Sequence, residues 1–413
     1  MVKNNLINKS IVIILIIMFL GVCILPTSAY DIKKLYQSSS KGTWLYVGGS
    51  GPGNYTTIQN AIDNATSGDT IFVYNGVYDG GIIIDKKIIL IGEDKNHTII
   101  DGPGEIHNGI YIFSDGVDLS GFTIQNVGNF FPDCALYISS DDNKIYNNII
   151  TGNKFGIDIY ESVNNHIYDN MIVNQDRYDG INLRFSSNNV ISRNVISGNN
   201  GHGIMLVESC ENIIVENVIA NNHWGGLTIL TQNDTDNIIY NNNFFQNIPH
   251  NGWDVGMNSW HMTYPVGGNY WDDYTGEDVN GDGIGDDPYL IDGGNNLDNY
   301  PLINPILTGN TTLEVGLGSS KPFMIIAEIQ NTGYHPAVDI NWSISLDGGL
   351  IFFNRETKGN LNYVLPDGPH EITTNRLFGL GKSELTITVE VLNAEKTTIN
   401  YDVFMFFFFM LIR

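Results

Sequence analysis

NKIYNNII at 143–150, NHIYDNMI at 165–172, NVISRNVI at 189–196, NIIVENVI at 212–219 and NIIYNNNF at 237–244 are one segment written five times. The second Asn of each falls at Asn148, Asn170, Asn194, Asn217 and Asn242, in steps of 22, 24, 23 and 25 residues. A second segment alternates with the first: Gly156-Ile157-Asp158-Ile159, Gly180-Ile181-Asn182-Leu183, Gly203-Ile204-Met205-Leu206 and Gly226-Leu227-Thr228-Ile229, with Gly109-Ile110-Tyr111-Ile112 upstream. Apolar residues recur with period two inside both segments, which excludes a helical repeat. Leucine-rich repeats share the length but need Leu-rich spacing, and a propeller blade is about 40 residues or longer. Short strands joined by Asn and Gly turns predict a right-handed parallel β-helix, one coil per repeat.

In such a coil Ile157, Ile181, Ile204 and Leu227 point inward, as do Ile159, Leu183, Leu206 and Ile229. Stacked at ~4.8 Å per coil, they make a continuous core. The Asn residues suit the turns because they tolerate left-handed backbone, and stacked Asn side chains can hydrogen-bond from coil to coil. Upstream, residues 55–65 have apolar Ile58, Ala61, Ile62 and Ala65 at helical spacing. A solenoid needs a cap over its first coil, and a short amphipathic helix supplies one.

The stretch TIQNAID…GDTIFVYNGVYDGGIIIDKKIILIGE…TIIDG, within 57–102, resembles the N-terminal cap of pectin-lyase-like β-helices. The Asn/Gly repeats resemble the NosD branch of that superfamily, whose repeats are also described as carbohydrate-binding and sugar-hydrolysis (CASH) repeats. GGNYWDDY at 267–274, followed by DVNGDGIGDDPYLID and DNYPL, looks like the ending of NosD-type repeats in archaeal envelope proteins. After 308 the repeat stops, and NWSISLDGGLIFF with LFGLGKSELTITVEV resembles an appended Ig-like domain. The all-β chain therefore divides into 1–29 signal peptide, 30–42 linker, 43–102 cap and first coils, 103–250 β-helix coils, 251–308 C-terminal cap, and 309–413 Ig-like β-sandwich. The apolar tail Val403–Ile412 is too short to span a membrane as a helix and reads as a last buried strand.

Lys3 and Lys9, the 15-residue apolar run Ile11–Leu25 and the small Ala29 after Pro26 predict a secretory signal peptide. The run is shorter than the ~20 residues of a spanning helix, so no membrane span is expected in the mature chain, and an extracellular or cell-surface location is. Two cysteines then remain, Cys134 and Cys210, too few for a disulfide framework. Sequons at Asn54, Asn64, Asn96, Asn233, Asn310 and Asn341 are candidate glycan acceptors. A net charge of −25 excludes nucleic acid as a partner and disfavours polyanions.

Three functions compete. The favoured one is a non-catalytic envelope module, structural or glycan-binding, stabilised by calcium. A polysaccharide lyase or hydrolase needs acids beside a basic group on one outer face. Asp158, Asp176, Asp179 and Arg184 supply that pattern, with Asn182 stacked beside Asp158. Yet residues 103–250 hold five Lys/Arg, sparse for a polyuronate groove, and the bland expectation is a solvated solenoid face. Copper handling, the third, needs clustered His, Met or Cys. His202 and His223 precede corresponding turns, near Met205 and Cys210, without any short ligand spacing; the resemblance therefore transfers a fold and not a copper function. Aromatics from Trp253 to Tyr274 are expected to plug the C-terminal end, sugar stacking being the alternative.

Calcium enters through Asp278-Val-Asn280-Gly-Asp282-Gly283-Ile284-Gly-Asp286-Asp287. Oxygen ligands stand at positions 1, 3, 5 and 9 of an EF-hand-like loop, Gly at 6, and the Ile284 carbonyl at 7. Position 12 is Tyr289, not Glu, so the loop looks like those of dockerins or thrombospondin-type repeats, with Asp287 or Asp292 as the missing carboxylate and a structural role for the ion.

Overall fold

The computed structural model describes residues 42–413 except 103–107, 129–131, 308, 310, 319–323, 334–336, 366–368, 392, 408 and 413. The predicted signal peptide and the linker up to residue 41 lie outside the described residues.

Three parallel sheets run along the first part of the chain. One has ten strands, from Trp44–Val47 to Met257–Ser259; one has eight, from Ile82–Ile84 to Gly252–Asp254; one has nine, from Gly76–Asp79 to Tyr270–Trp271. Each strand pairs with its equivalent one coil away, so Ile157, Ile181, Ile204 and Leu227 stand in register. This is a parallel β-helix. Both inward columns are fully buried, and they belong to one core that runs from Val47 to Ile291.

The turns are held by three ladders of buried amides. The backbone N–H of Asn143, Asn165, Asn189 and Asn212 donates to the side-chain Oδ1 of Asn165, Asn189, Asn212 and Asn237 at 2.8–3.0 Å. Asn148, Asn170, Asn194, Asn217 and Asn242 repeat this at 2.9–3.1 Å. The third ladder, Asn153–Gln175–Asn199–Asn222–Asn247, uses a Gln in one rung. The ladder residues are not the left-handed ones. Positive φ falls on the residue before each, 52–58° at Asn147, Asp169, Arg193, Glu216 and Asn241. That residue turns outward, which is why Arg and Glu are tolerated there, and the following Asn is thereby aimed inward.

Both ends of the core are closed. The helix Ile58–Asn64, capped by Thr57 Oγ1 accepting from the Asn60 N–H, buries Ile58, Ala61 and Ile62 against the first coils. At the other end Trp271 is stacked between Phe244 at 4.4 Å and Tyr289 at 4.2 Å, beside fully buried Trp260. Their indole N–H groups donate to Asp298 and Asp254, so the plug leaves neither buried donor unpaired.

Residues 313–412 form two antiparallel sheets, of three and five strands, around a separate core. Val338, Tyr363 and Leu365 of this β-sandwich pack on Val218, Ala220 and Phe245 of the nine-stranded sheet, with the Tyr363 and Phe245 rings 4.2 Å apart. The apolar tail is not one buried strand. It is a hairpin of Thr397–Phe407 and Phe409–Ile412 in which Val403 and Met405 are buried while Phe406, Phe407 and Leu411 are exposed.

Ile204→Asp puts an unpaired charge into a fully buried column and is expected to prevent folding. Asn194→Ala strips the N–H of Asn170 of its acceptor, the Asn170 side-chain amide of one of three, and the Ile167 carbonyl of a donor. Its expected cost in urea unfolding is about 3 kcal/mol. Asn64→Ala, on the exposed face of the cap helix, should stay within about 0.5 kcal/mol. Equal costs for the two Asn variants would contradict the ladder's role.

Candidate functional site

The eight-stranded sheet carries the chemistry on its outer face. Because side chains alternate, the residues between the two inward columns point out: Tyr137, Asp158, Asn182, Met205, Thr228 and Trp253 are neighbours one coil apart. One residue beyond the second inward column, Tyr160 pairs with Arg184. Arg184 reaches back one coil. Its Nε donates to Asp158 Oδ1 at 3.0 Å and its Nη2 to Oδ2, while its guanidinium lies 4.9 Å from the Tyr160 ring centre.

Asp158 therefore does not sit on a solvated face, although it points outward as expected. It is 3% exposed, because Arg184 and the neighbouring coils cover it. Burial pushes its carboxyl upward, opposed by the bonds from Arg184, and the same pair holds the guanidinium charged. Beside it, Asn182 is also buried, and its side-chain Oδ1 has no hydrogen-bond partner among the described residues.

Two residues before the inward Ile or Leu runs a second column: Asp179, His202, Gly225, His250. Asp179 Oδ1 accepts from the His202 N–H at 2.8 Å and lies 2.9 Å from its Nδ1. The carboxylate orients the imidazole and leaves Nε2 as its outward nitrogen. Gly225 has φ +140°, and any Cβ there would lie 2.6 Å from His250 Nε2, so the His250 ring occupies the room that the glycine leaves. Burial pushes the His250 imidazole below its ordinary value, against the pull of Asp292 and with the repulsion of His202.

One position earlier the column is Tyr178, Gly201, Trp224. A Cβ at Gly201 would collide with the Tyr178 backbone and Asp179, and across this gap Trp224 meets Tyr178 edge-on at 6.4 Å and His202 at 5.8 Å. Trp224 is half-exposed. The face thus offers an exposed indole beside an imidazole that a carboxylate orients.

Of the four acid–base candidates, Asp158, Asp179 and Arg184 share this face. Asp176 is drawn off to Lys154 at 3.3 Å and is exposed. Trp224 and His250 were not singled out by the sequence; the signal available was a bulky residue standing against a Gly in the adjacent repeat.

The copper ligand set does not assemble. His202 aligns with Gly225 rather than with His223, whose Nδ1 lies 2.8 Å from Asn200 Oδ1. Cys210 Sγ donates to the Asn233 carbonyl. No three His, Cys, Asp or Glu side chains come together as a metal-binding group among the described residues.

The acidic loop folds on itself. Asp278 accepts from the N–H groups of Gly281, Asp282 and Gly283, Asn280 from Asp282, Asp282 from Ile284, and Asp286 from Val279. Gly283 at φ +89° makes the sharp turn. The carboxylates face the loop's own amides rather than one another, so a cation would have to draw them inward. The Asp287 backbone carbonyl accepts from the Tyr274 hydroxyl, which ties the loop to the cap.

Asp158→Asn is expected to destabilise by about 2 kcal/mol, below the full cost of breaking a buried pair because Arg184 is about a quarter exposed. A double-mutant cycle with Arg184→Met should return a coupling above about 1 kcal/mol, and additive effects would show that the pair contributes nothing.

The sequence profile of the family described as "Periplasmic copper-binding protein (NosD)" matches residues 62–276, just over half of the chain. "Probable pectinesterase/pectinesterase inhibitor 17" of Arabidopsis thaliana is 32% identical over 119 residues, 26% of this chain and 23% of that protein. The chain thus spans under a quarter of this curated relative. Among solved structures, pectate lyase Pel9A is similar at 15% identity and a TM-score of 0.43, over 56% of this chain and 68% of that one. The Dettilon tailspike protein is similar at 12% identity and a TM-score of 0.38, over 81% and 94%. No described helix is long and apolar enough to cross a membrane. The chain belongs to the NosD family and carries its parallel β-helix.

Proposed function

We propose that this protein is a secreted or cell-surface module that binds envelope or other polysaccharide glycans along the outer face of the eight-stranded sheet. The observation that carries this reading is the half-exposed Trp224 ring, which meets edge-on the His202 imidazole held by Asp179. An exposed indole gives a pyranose face something to stack on, and the imidazole at its edge gives the sugar hydroxyls a partner. Two of the cations near this face are already engaged by carboxylates, Arg184 by Asp158 and Lys154 by Asp176, and Arg177 lies over the Tyr178 ring. With a net charge of −25, that favours uncharged glycans over polyuronates.

A polysaccharide-cleaving activity is the second reading, favoured by one feature: Asp179 orients His202 in the manner of a general base. Incubation with a panel of neutral and acidic polysaccharides, scoring both retention and new chain ends, separates the two. Retention without new ends is expected. Trp224→Ala should weaken binding by about tenfold or more, and new ends that vanish in His202→Ala would replace the binding reading with an enzymatic one.

Calcium as a structural ion of the 278–287 loop is part of the same proposal. It is supported by the all-oxygen donors at alternate positions and by the turn at Gly283. Titrating Ca²⁺ into chelator-treated protein should release heat and raise the melting temperature. Both effects should be lost in Asp278→Ala/Asp282→Ala, and identical behaviour of the two proteins would exclude the ion.

A further inference from the structure

The end of the β-sandwich formed by residues 350–356, 376–382 and 404–407 exposes apolar side chains that its core does not use. Phe352, Phe353, Phe406 and Phe407 are 41–65% exposed. They form one aromatic chain: Phe352 and Phe353 both contact Phe378, Phe378 contacts Phe407 at 5.5 Å, and Phe407 contacts Phe406 at 5.0 Å. Leu350, Leu380 and Phe406 continue the patch as one row across three strands, and all three are exposed. A contiguous exposed apolar surface of this kind marks a contact with a membrane or another macromolecule.

Charge distinguishes the occupants. In a chain with 20 Lys and Arg against 45 Asp and Glu, three exposed cations gather at this end: Arg355, Arg376 and Lys382. Arg355 follows directly on the Phe352–Phe353 turn, and the Arg376 carbonyl accepts from Asn354 of that turn. Lys382 stands opposite Phe404, two rows behind Leu380 and Phe406. The neighbouring Glu356 is paired with Lys358. The exposed carboxylates Asp347, Glu384 and Asp402 form a single row across three strands. That row lies six residues behind Phe378, four behind Leu380 and two behind Lys382. Aromatics at the tip with Arg355 and Arg376 beside them, and the acid row behind both, match the charge profile of an anionic bilayer surface. Apolar rings enter the interface, and Arg and Lys reach the headgroup phosphates. A second copy docking tip to tip would set these cations against their equivalents.

We propose that this end of the β-sandwich is a peripheral membrane-contact site for anionic phospholipid, so that the sandwich holds the β-helix at a lipid surface without spanning it.

The test is co-sedimentation of the full protein with vesicles of phosphatidylcholine, with and without phosphatidylglycerol, beside sedimentation-velocity measurement of its oligomeric state. Binding to the anionic vesicles, weakened by added salt, is expected. Arg355→Glu/Arg376→Glu should lower the partition coefficient by roughly tenfold or more, since each cation at headgroup level contributes comparably. Phe352→Ser/Phe353→Ser should abolish partitioning, and an unchanged melting temperature in either variant shows that the fold is intact. If wild type ignores both vesicles, the proposal is overturned. If it instead self-associates through this patch, or binds vesicles as well in the serine variant, the surface is not a lipid site.

Discussion

A buried turn must give its backbone N–H groups somewhere to go, and in this molecule they go to the amide oxygens of the next coil. The three ladders solve this for every coil from Asn143 to Asn247. A ladder bond contributes only about 1 kcal/mol net, whereas an unpaired buried amide costs about 1–3 kcal/mol. The ladders therefore set geometry more than they drive folding; the driving force is the stacked Ile and Leu columns. Since an amide must find its partner within about 3 Å, successive coils have to turn at the same angular position. A slip by one residue would bring Ile149 or Met171 to a rung and turn the whole inward column outward. Register, and with it the composition of every outer face, follows from this constraint.

The parts of the fold that repeat were readable from residues alone. Ile157, Ile181, Ile204 and Leu227 are inward because periodicity places them there, and periodicity survives in a one-dimensional string. The rung at Gln175 was not readable, because it breaks the Asn pattern while keeping the amide chemistry. The burial of Asp158 was not readable either. Alternation correctly points it outward, but its exposure depends on an arginine 26 residues away that bends back one coil. The alignment of His202 with Gly225 rather than His223 reflects coil steps of 22 to 25 residues, which shift loops relative to strands.

Electrostatics follows the same coil-to-coil logic. One coil up or down is a distance of ~4.8 Å, within reach of a long cationic side chain. Arg184 pairs with Asp158, Arg193 with Asp169, and Lys154 with Asp176, each across a single coil. Three of the five cations between residues 103 and 250 are consumed this way. The helix therefore presents an outer surface whose remaining charge is negative, and a ligand gains little there from an anionic group. Hydroxyl donors and apolar ring faces are what such a surface can recognise.

The candidate site owes its shape to two residues with no side chain. Gly201 and Gly225 interrupt columns otherwise filled by Tyr178 and Trp224, and by His202 and His250. Either gap filled by a methyl group would strike the Tyr178 backbone in one case and the His250 ring in the other. At Gly225 the positive φ adds a backbone penalty that only glycine escapes. Bulky groups can stand edge to edge here because the rung between them is empty, and that brings an indole, an imidazole and a carboxylate from three coils onto one small surface. A uniform repeat would have produced a flat stack of like residues, as in the Tyr146–Tyr168 pair on the ten-stranded sheet, where the rings lie parallel at 5.0 Å and offer one another, rather than a ligand, their faces.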